Sequence, residues 1–408
     1  TWYQVLQPEI LNIWDNTGII LLFLIVASSV TIYIYFSRFQ KSENNAKEDS
    51  NWEKQAFLIG LSAVLMGPIP AWAVGQQIMI RNPLWSSRLG LASIFGASLV
   101  IIALLESLIA NGKFRTIFFS ILIALSINWH INNTNDFRWA WSKQSRFYQQ
   151  LVWRAPYIKP GTAIISEDNE LFPFMGYYPT SFALNTLYPQ SKTSQSLPYW
   201  FFGLNKHFEN NLHNLLDNQT ISGSKLSGNF FGKPFNSIII SFEPEKNQCL
   251  WVLRPEDSSL RILPGITREA VQISNPSQIL PDSPSGHQWP EMFLGDAPEK
   301  TWCYSYQKAD LARQFEDWGT IRNLWQTAEK NNLRPKNGFE FLPFVEAYGL
   351  NKNWDTAYDL TRQANRLTPG MAPILCHTWK KVLENTNDSD ARAQVYSEVN
   401  DLFDCTNN

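Results

Sequence analysis

Residues 18–130 are dominated by long apolar runs, whereas residues 135–408 mix polar, aromatic and apolar positions as a water-soluble chain does. Gly18 to Phe36 (GIILLFLIVASSVTIYIYF) carries no charge. At about 1.5 Å per residue a helix of that length matches a hydrocarbon core of about 30 Å. Similar patterns predict spans over 55–73, 89–106 and 114–131. The second contains Pro68 and Pro70 in MGPIPAW; proline removes a backbone donor, so this helix should kink or end early. The third carries Ala92, Ser93, Gly96 and Ala97, small residues four apart that let helices approach closely.

Beyond the spans, residues 137–155 (FRWAWSKQSRFYQQLVWRA) predict an aromatic amphipathic helix lying in the headgroup layer, or a plain helix packed on the next domain. Pro160-Gly161 marks a turn. Thr162–Ser166 (TAIIS), Ser237–Phe242 (SIIISF), Leu250–Leu253 (LWVL) and Leu260–Leu263 have the short β-branched or apolar character of strands. Residues 156–265 thus form a small α/β domain, and the Pro- and Ser-rich stretch 266–300 an irregular linker.

From 301 to the end the period is helical and it repeats. Trp318 and Trp354, Leu324 and Leu360, and Ala328 and Ala364 are each 36 apart. Two helices per unit at this period resemble tetratricopeptide repeats, whose period is about 34 residues. Tyr348, Ala357, Ala364 and Pro369 stand at spacings close to that family's signature; the first unit departs from it at Ile321 and Pro335. Residues 372–403 supply a third, capping pair. The reading makes residues 301–408 an autonomous array with its inner face open to a protein partner. The fold class is therefore membrane α-helical, with about four transmembrane helices, followed by a soluble α/β domain and an α-helical repeat domain. For 408 residues, two or three domains fit a prior of roughly 150 residues each.

Charge sets orientation. The loop after the first span carries Arg38, Lys41, Lys47 and Lys54, and the one after the third Lys113 and Arg115; the other side has Arg81 and Arg88. That asymmetry places loops 37–54 and 111–115 in the cytoplasm. Segment 1–17 and everything after 131 are then extracytoplasmic. Thr1 and the lack of a basic segment before the first span point to a piece of a longer protein. Glu106, at the cytoplasmic end of the third span, reads as a snorkelling structural residue rather than an intramembrane functional carboxylate. With 34 Lys and Arg against 36 Asp and Glu the net charge is -2, and no basic stripe supports a nucleic-acid partner.

Cys249, Cys303, Cys376 and Cys405 all lie in the soluble part. An even count permits disulfides in three pairings, with buried free thiols as the alternative. In an oxidising compartment Cys376 and Cys405, flanking the capping helices, are the expected pair.

The chemistry is sparse. Gly228-Asn-Phe-Phe-Gly232-Lys233-Pro234 has too few residues between its glycines for a phosphate loop, and Pro234 where a Ser or Thr is needed. His130, His207, His213, His287 and His377 form no HExxH, and no CxxC exists, so neither metal nor cofactor is expected. Nor is there a G-x-S-x-G elbow. What remains is Glu167, Asp168 and Glu170, directly after TAIIS. Carboxylates at the carboxyl end of a strand are where α/β domains often contact ligands; a solvated turn is the alternative.

The order of parts also carries a resemblance. A Pro-rich helix (GPIPAWAVGQ), a small-residue helix (RLGLASIFGASLVIIALLE) and a last span that exits into WRAPYIKPGTAIISEDNE resemble the C-terminal half of bacterial C-type membrane glycosyltransferases, including the protein mannosyltransferase-like group. The resemblance covers roughly residues 20–170. It implies an inner-membrane protein of the bacterial cell envelope that uses lipid-phosphate-linked sugars. That family's catalytic carboxylates lie in an early extracytoplasmic loop that no position here matches, so no catalytic residue is transferred. The alternative is a non-enzymatic, membrane-anchored envelope scaffold that binds partners through its repeats.

Overall fold

A computed structural model of the chain describes residues 16–40, 51–75, 90–167, 176–190, 196–282 and 301–405. It divides into two units, residues 1–138 and 139–408. Lys41, Lys47, Arg81 and Arg88, which carry much of the charge asymmetry, lie outside the described residues.

The first unit consists of apolar helices: α1 (Asn16–Gln40), α2 (Trp52–Met66), the short α3 (Ile69–Ala73), α4 (Leu91–Leu108) and the start of α5 (Gly112–Arg154). Two stretches, Trp52–Ala73 and Gly112–Arg154, are long and apolar enough to cross a membrane; Leu22–Arg38 and Ser93–Leu108 are shorter apolar helices. The prolines act as their chemistry requires. Helix α2 ends at Gly67, and the Pro68 carbonyl accepts the N–H groups of Ala71 and Trp72 to start α3. Helices α2 and α4 pack closely through glycine. A methyl group on Gly60 would lie 2.7 Å from the Gly96 carbonyl oxygen, and one on Gly96 2.6 Å from that of Gly60. Glu106 is paired with Arg115 across the α4–α5 turn, as a structural carboxylate would be.

Helix α5 is one element of 43 residues, where the sequence predicts separate helices over 114–131 and 137–155. The polar stretch between them, Asn132-Asn133-Thr134-Asn135-Asp136, contains no Pro or Gly to break it. Its last turns are core rather than headgroup-layer structure, for Phe147, Tyr148, Leu151 and Val152 are buried against the sheet of the second unit.

That sheet is built from β2 (Thr162–Ser166), β3 (Tyr199–Gly203), β6 (Ile238–Ser241) and β7 (Trp251–Val252) in the order β3-β2-β6-β7. Strand β2 is parallel to both β3 and β6, and β7 is antiparallel to β6. Alternation of side chains sends Ile164, Tyr199, Phe201, Ile238 and Ile240 to one face, under α5 and α6 (Tyr177–Leu187). Ala163, Ile165, Trp200, Phe202, Ile239 and Trp251 go to the other. Strands buried on both faces read as continuous apolar runs, which is the character of YWFFG in β3, a strand the sequence reading passed over. Short helices α7 (Leu204–Phe208) and α8 (Leu212–Leu216) follow β3, and a hairpin of β4 (Ile221–Lys225) and β5 (Gly228–Gly232) comes next. The stretch GNFFG is thus a strand, with Phe230 in the core.

Two expectations are corrected here. Leu260–Leu263 is not a strand but a turn, with Leu260 and Leu263 buried and Arg261 and Ile262 exposed, a three-residue spacing rather than alternation. Nor does an irregular linker begin at 266. Helix α9 (Gly265–Ala270) and β8 (Ile279–Leu280), which pairs with β1 (Tyr157–Ile158), belong to the α/β body. Ser274 ties them in, donating to the Leu253 carbonyl at 2.6 Å and accepting the Ile239 N–H at 3.1 Å. Residues 283–300 lie outside the described residues.

The C-terminal part is three helical hairpins: α10 (Trp302–Gln314) with α11 (Trp318–Lys330), α12 (Leu342–Leu350) with α13 (Trp354–Leu367), and α14 (Ala372–Glu384) with α15 (Asp390–Phe403). The 36-residue offset has a local basis. Asp317 and Asn353 cap α11 and α13 by accepting the N–H groups of Thr320 and Thr356, and the residues before them, Glu316 and Lys352, hold left-handed backbone at φ 57 and 61°. The array packs on the α/β body and shares its core. Leu342–Gly349 are all buried, Trp251 lies 4.5 Å from Phe339, Gln307 donates to the Leu250 carbonyl at 2.6 Å, and one apolar core runs from the sheet into the array.

All four cysteines are paired: Cys249 with Cys303, and Cys376 with Cys405, at Cα separations of 5.5 and 5.3 Å. The second is the pair expected for an oxidising compartment.

Candidate functional site

Strand order makes one position in the α/β body special. From β2 the chain crosses to β3 on one side, and from β3 it returns to β6 on the other. In open α/β sheets the crevice outside the carboxyl ends of the strands, where the order reverses, is where ligands bind. Here that point lies between β2 and β6, and two residues meet there. Glu167, the first residue after β2, accepts a hydrogen bond from the Ser241 hydroxyl, at the end of β6, at 2.8 Å. The Ser241 oxygen in turn accepts from Gln248 Nε2 at 3.0 Å. The backbone fixes Glu167 as well: its N–H donates to the Ile240 carbonyl at 3.2 Å, and its carbonyl accepts from Asn205 Nδ2 at 3.3 Å.

Tyr177 of α6 and Lys206 and His207 of α7 cluster beside Gly203, the last residue of β3. Tyr177, in the first turn of α6, has its ring 4.6 Å from that of His207, edge to face, and the Lys206 ammonium sits 4.8 Å from its centroid. His207 Nδ1 lies 3.2 Å from the Gly203 nitrogen and 3.0 Å from its carbonyl oxygen. Desolvation holds the imidazole below its ordinary range, opposed by the Gly203 carbonyl and helped by Lys206. On the far side of β6, Lys143 of α5 reaches Glu245 at 2.9 Å. Burial would raise Glu245, but the hydrogen bonds from Lys143 and from its own backbone N–H, with the charges of Lys143 and Arg146, together outweigh it and keep the carboxyl below its usual value.

Of the three carboxylates predicted from the sequence, Glu167 is in this crevice; Asp168 and Glu170 lie outside the described residues. Asn205, His207, Ser241 and Gln248 were not anticipated. The first two follow β3, and recognising YWFFG as a buried parallel strand would have pointed to them. A carboxylate, two amides, a hydroxyl and a tyrosine ring suit the hydroxyl groups of a polar ligand. Among the described residues no group of three His, Cys, Asp or Glu could hold a metal ion.

A second concentration of charge is buried where the array meets the body. Asp310 of α10 accepts from Arg154 Nε at 2.6 Å and from Arg254 Nη2 at 3.0 Å. Glu346 of α12 accepts from Arg313 and Lys381, both at 2.5 Å. Asp310 and Glu346 are 36 positions apart in sequence. These groups pair with one another and hold the two parts of the body together. No family model, curated protein or solved structure matches this chain.

Proposed function

We propose that this chain is the C-terminal part of an integral membrane glycosyltransferase-like protein that uses lipid-linked sugars. Its soluble body serves recognition, not bond making. The observation that carries this reading is α5, an unbroken helix of 43 residues that is apolar in its first half and part of the soluble core in its last turns. In this reading all four apolar helices cross a bacterial inner membrane, the lysine-rich 37–54 side is cytoplasmic, and the soluble body is extracytoplasmic. Two disulfides in that body favour an oxidising compartment. The crevice at Glu167 takes the hydroxyl groups of a sugar or acceptor, and the hairpins act as a tetratricopeptide-like array.

The test is retention of a polyprenyl-phosphate hexose by the chain in proteoliposomes, measured against polyprenyl phosphate alone. Preference for the sugar-bearing lipid, weakened several-fold by Glu167→Gln, is expected. Equal retention of the two lipids overturns the reading.

One observation favours a scaffold instead. A groove of about 390 Å³ between the start of α13 and α15 is lined by Trp354, Asp355, Tyr358, Gln394 and Glu398. A scaffold would show no preference between the two lipids.

A further inference from the structure

The groove of about 390 Å³ between α13 and α15 has walls that follow from helical spacing. Trp354 and Tyr358 stand one turn apart on α13, and Gln394 and Glu398 one turn apart on α15, so each pair presents a single face. Lys352 and Asp355 line the groove as well. The frame is fixed on both sides. Lys352 holds left-handed backbone, Asn353 caps α13, and the Asn353 N–H donates to the Tyr348 carbonyl at 2.9 Å. Arg362 places its guanidinium 5.8 Å from the Tyr358 ring centroid. Cys405, two residues beyond α15, is bonded to Cys376 of α14, which ties down the helix that carries Gln394 and Glu398.

The polar groups in this groove do not satisfy one another. Among the described residues neither Asp355 nor Glu398 is in an ion pair, although Glu398 is half-buried and its contact with Gln394 Nε2 is long, at 3.4 Å. Lys352 forms no ion pair among them either. Trp354 is only 8% exposed, yet its indole N–H donates to no acceptor among the described residues; an indole buried to this extent usually has one.

The groove is also particular to this hairpin. The Asn353-Trp354 start of α13 repeats the Asp317-Trp318 start of α11, 36 positions earlier. Asp355 and Tyr358, however, stand where α11 has Gly319 and Arg322. The cap and the tryptophan recur as parts of the repeat. The carboxylate and the phenol ring do not, so the packing of a hairpin does not require them.

This set of groups selects a class of ligand. The two carboxylates need donors, whereas the ammonium and the indole N–H need acceptors. A cationic side chain would satisfy the first and be repelled by Lys352; an anion would meet the reverse. A hydroxyl group donates and accepts at once, and the C–H face of a sugar ring suits the negative face of an aromatic ring. The volume falls in the range of small-molecule sites. We propose that the α13–α15 groove binds a neutral oligosaccharide. The inference stands on the groove alone and uses neither the Glu167 crevice nor the membrane-anchored reading.

The test uses the full chain in phosphatidylcholine nanodiscs, so that no sugar-based detergent competes. It is titrated with maltotriose, cellotriose and mannotriose, and binding is read by saturation transfer to the sugar C–H protons. At least one trisaccharide should bind. Glu398→Gln and Asp355→Asn keep the side-chain shape and remove a charged acceptor. Each should weaken binding roughly tenfold, the scale of one hydrogen bond to a charged group. Tyr358→Leu should weaken it several-fold, and Glu167→Gln should leave it unchanged. Far-ultraviolet circular dichroism of each variant shows that the helices are intact. Binding of none of the three sugars overturns the inference. So does binding that survives both carboxylate substitutions, or that is lost only in Glu167→Gln and therefore belongs to the crevice. Binding of trilysine or triglycine in place of the sugars, lost in Glu398→Gln, also overturns it and makes the groove a peptide site.

Discussion

Cys249, two residues before β7, is bonded to Cys303 in the first turn of α10, 54 positions further along the chain. The neighbouring backbone is held as well: the Cys249 N–H donates to Glu340 at 2.9 Å, and Glu340 also accepts from Trp302 Nε1 at 2.5 Å. One covalent bond and one buried carboxylate thus join the body and the array at the same place. Closing a loop of this length removes enough unfolded-state entropy to contribute about 4 kcal/mol. Cys249→Ala with Cys303→Ala should therefore lower the melting temperature of the soluble body, followed by near-ultraviolet circular dichroism, by several degrees. Cys376→Ala with Cys405→Ala closes a shorter loop and should cost roughly 3–4 kcal/mol. A melt unchanged by the first pair of substitutions would mean that the carboxylate and the apolar core suffice.

The same junction shows how far the sequence could be read. Local signals were legible: the charge-free apolar runs, the break at Gly67-Pro68, the strand Thr162–Ser166, and the 36-residue offset from Trp318 to Trp354. Each depends on neighbours within one element or one repeat. What covers the array was not legible, because its partners are remote. Asp310 finds Arg154 across 156 positions, and Phe339 finds Trp251. An apolar stripe on α12 looks the same in sequence whether it faces solvent as a recognition surface or a second core. Glu167 was legible as a carboxylate after a strand; Ser241, its partner, has no signal of its own until β6 is known to lie beside β2.

Close packing of α2 on α4 depends on Gly60 and Gly96, since a methyl group on either meets the other's carbonyl oxygen below 3 Å. Backbone cannot give way as a flexible side chain can. Gly60→Ala and Gly96→Ala should each cost about 1–3 kcal/mol, as overpacking does, and the effect should appear as a lower thermal stability in detergent. Gly90→Ala, where an added methyl group meets open space, is the control. If Gly60→Ala and Gly90→Ala behave alike, the helices do not pack through this contact.

Stability should vary with pH in a direction set by buried carboxyls. Burial pushes Glu340 from 4.5 to about 7, against the donors Cys249 and Trp302, and pushes Asp257 from 3.8 to about 7. Between the ordinary and the folded values these groups are protonated in the folded chain and ionised in the unfolded one. Stability therefore declines as pH rises from about 4 to about 7 and levels off above. Asp310 works in the opposite sense. Burial raises it, but Arg154, Arg254 and Arg313 outweigh burial and bring it to about 2. Its contribution is present above 3.8 and is lost as pH falls through 2. The melting temperature of the soluble body should peak near pH 4–5, and Glu340→Gln should flatten the decline between pH 5 and 7. A melting temperature that rises steadily from pH 5 to 8 would refute this assignment.

The buried ion pairs allow a sharper test, because two carboxylates 36 positions apart differ in their surroundings. Asp310 has two close guanidinium partners, Arg154 fully buried and Arg254 nearly so. Asp310→Asn keeps the shape but leaves those charges in a dry interior, and removing one member of a buried pair costs about 3–5 kcal/mol. Glu346 shares its charge between buried Arg313 and the exposed ammonium of Lys381. When Lys381 is truncated to alanine, Glu346 keeps the Arg313 contact and the lost pair faces water, so the expected cost is about 1 kcal/mol or less. Urea melts of the two variants in low and high salt decide the matter. Asp310→Asn should be severe at both salt concentrations, because burial shields its partners from counterions. Lys381→Ala should be mild, and milder still in high salt. If Asp310→Asn costs no more than Lys381→Ala, water reaches the junction between the α/β body and the array, and the two do not share one core.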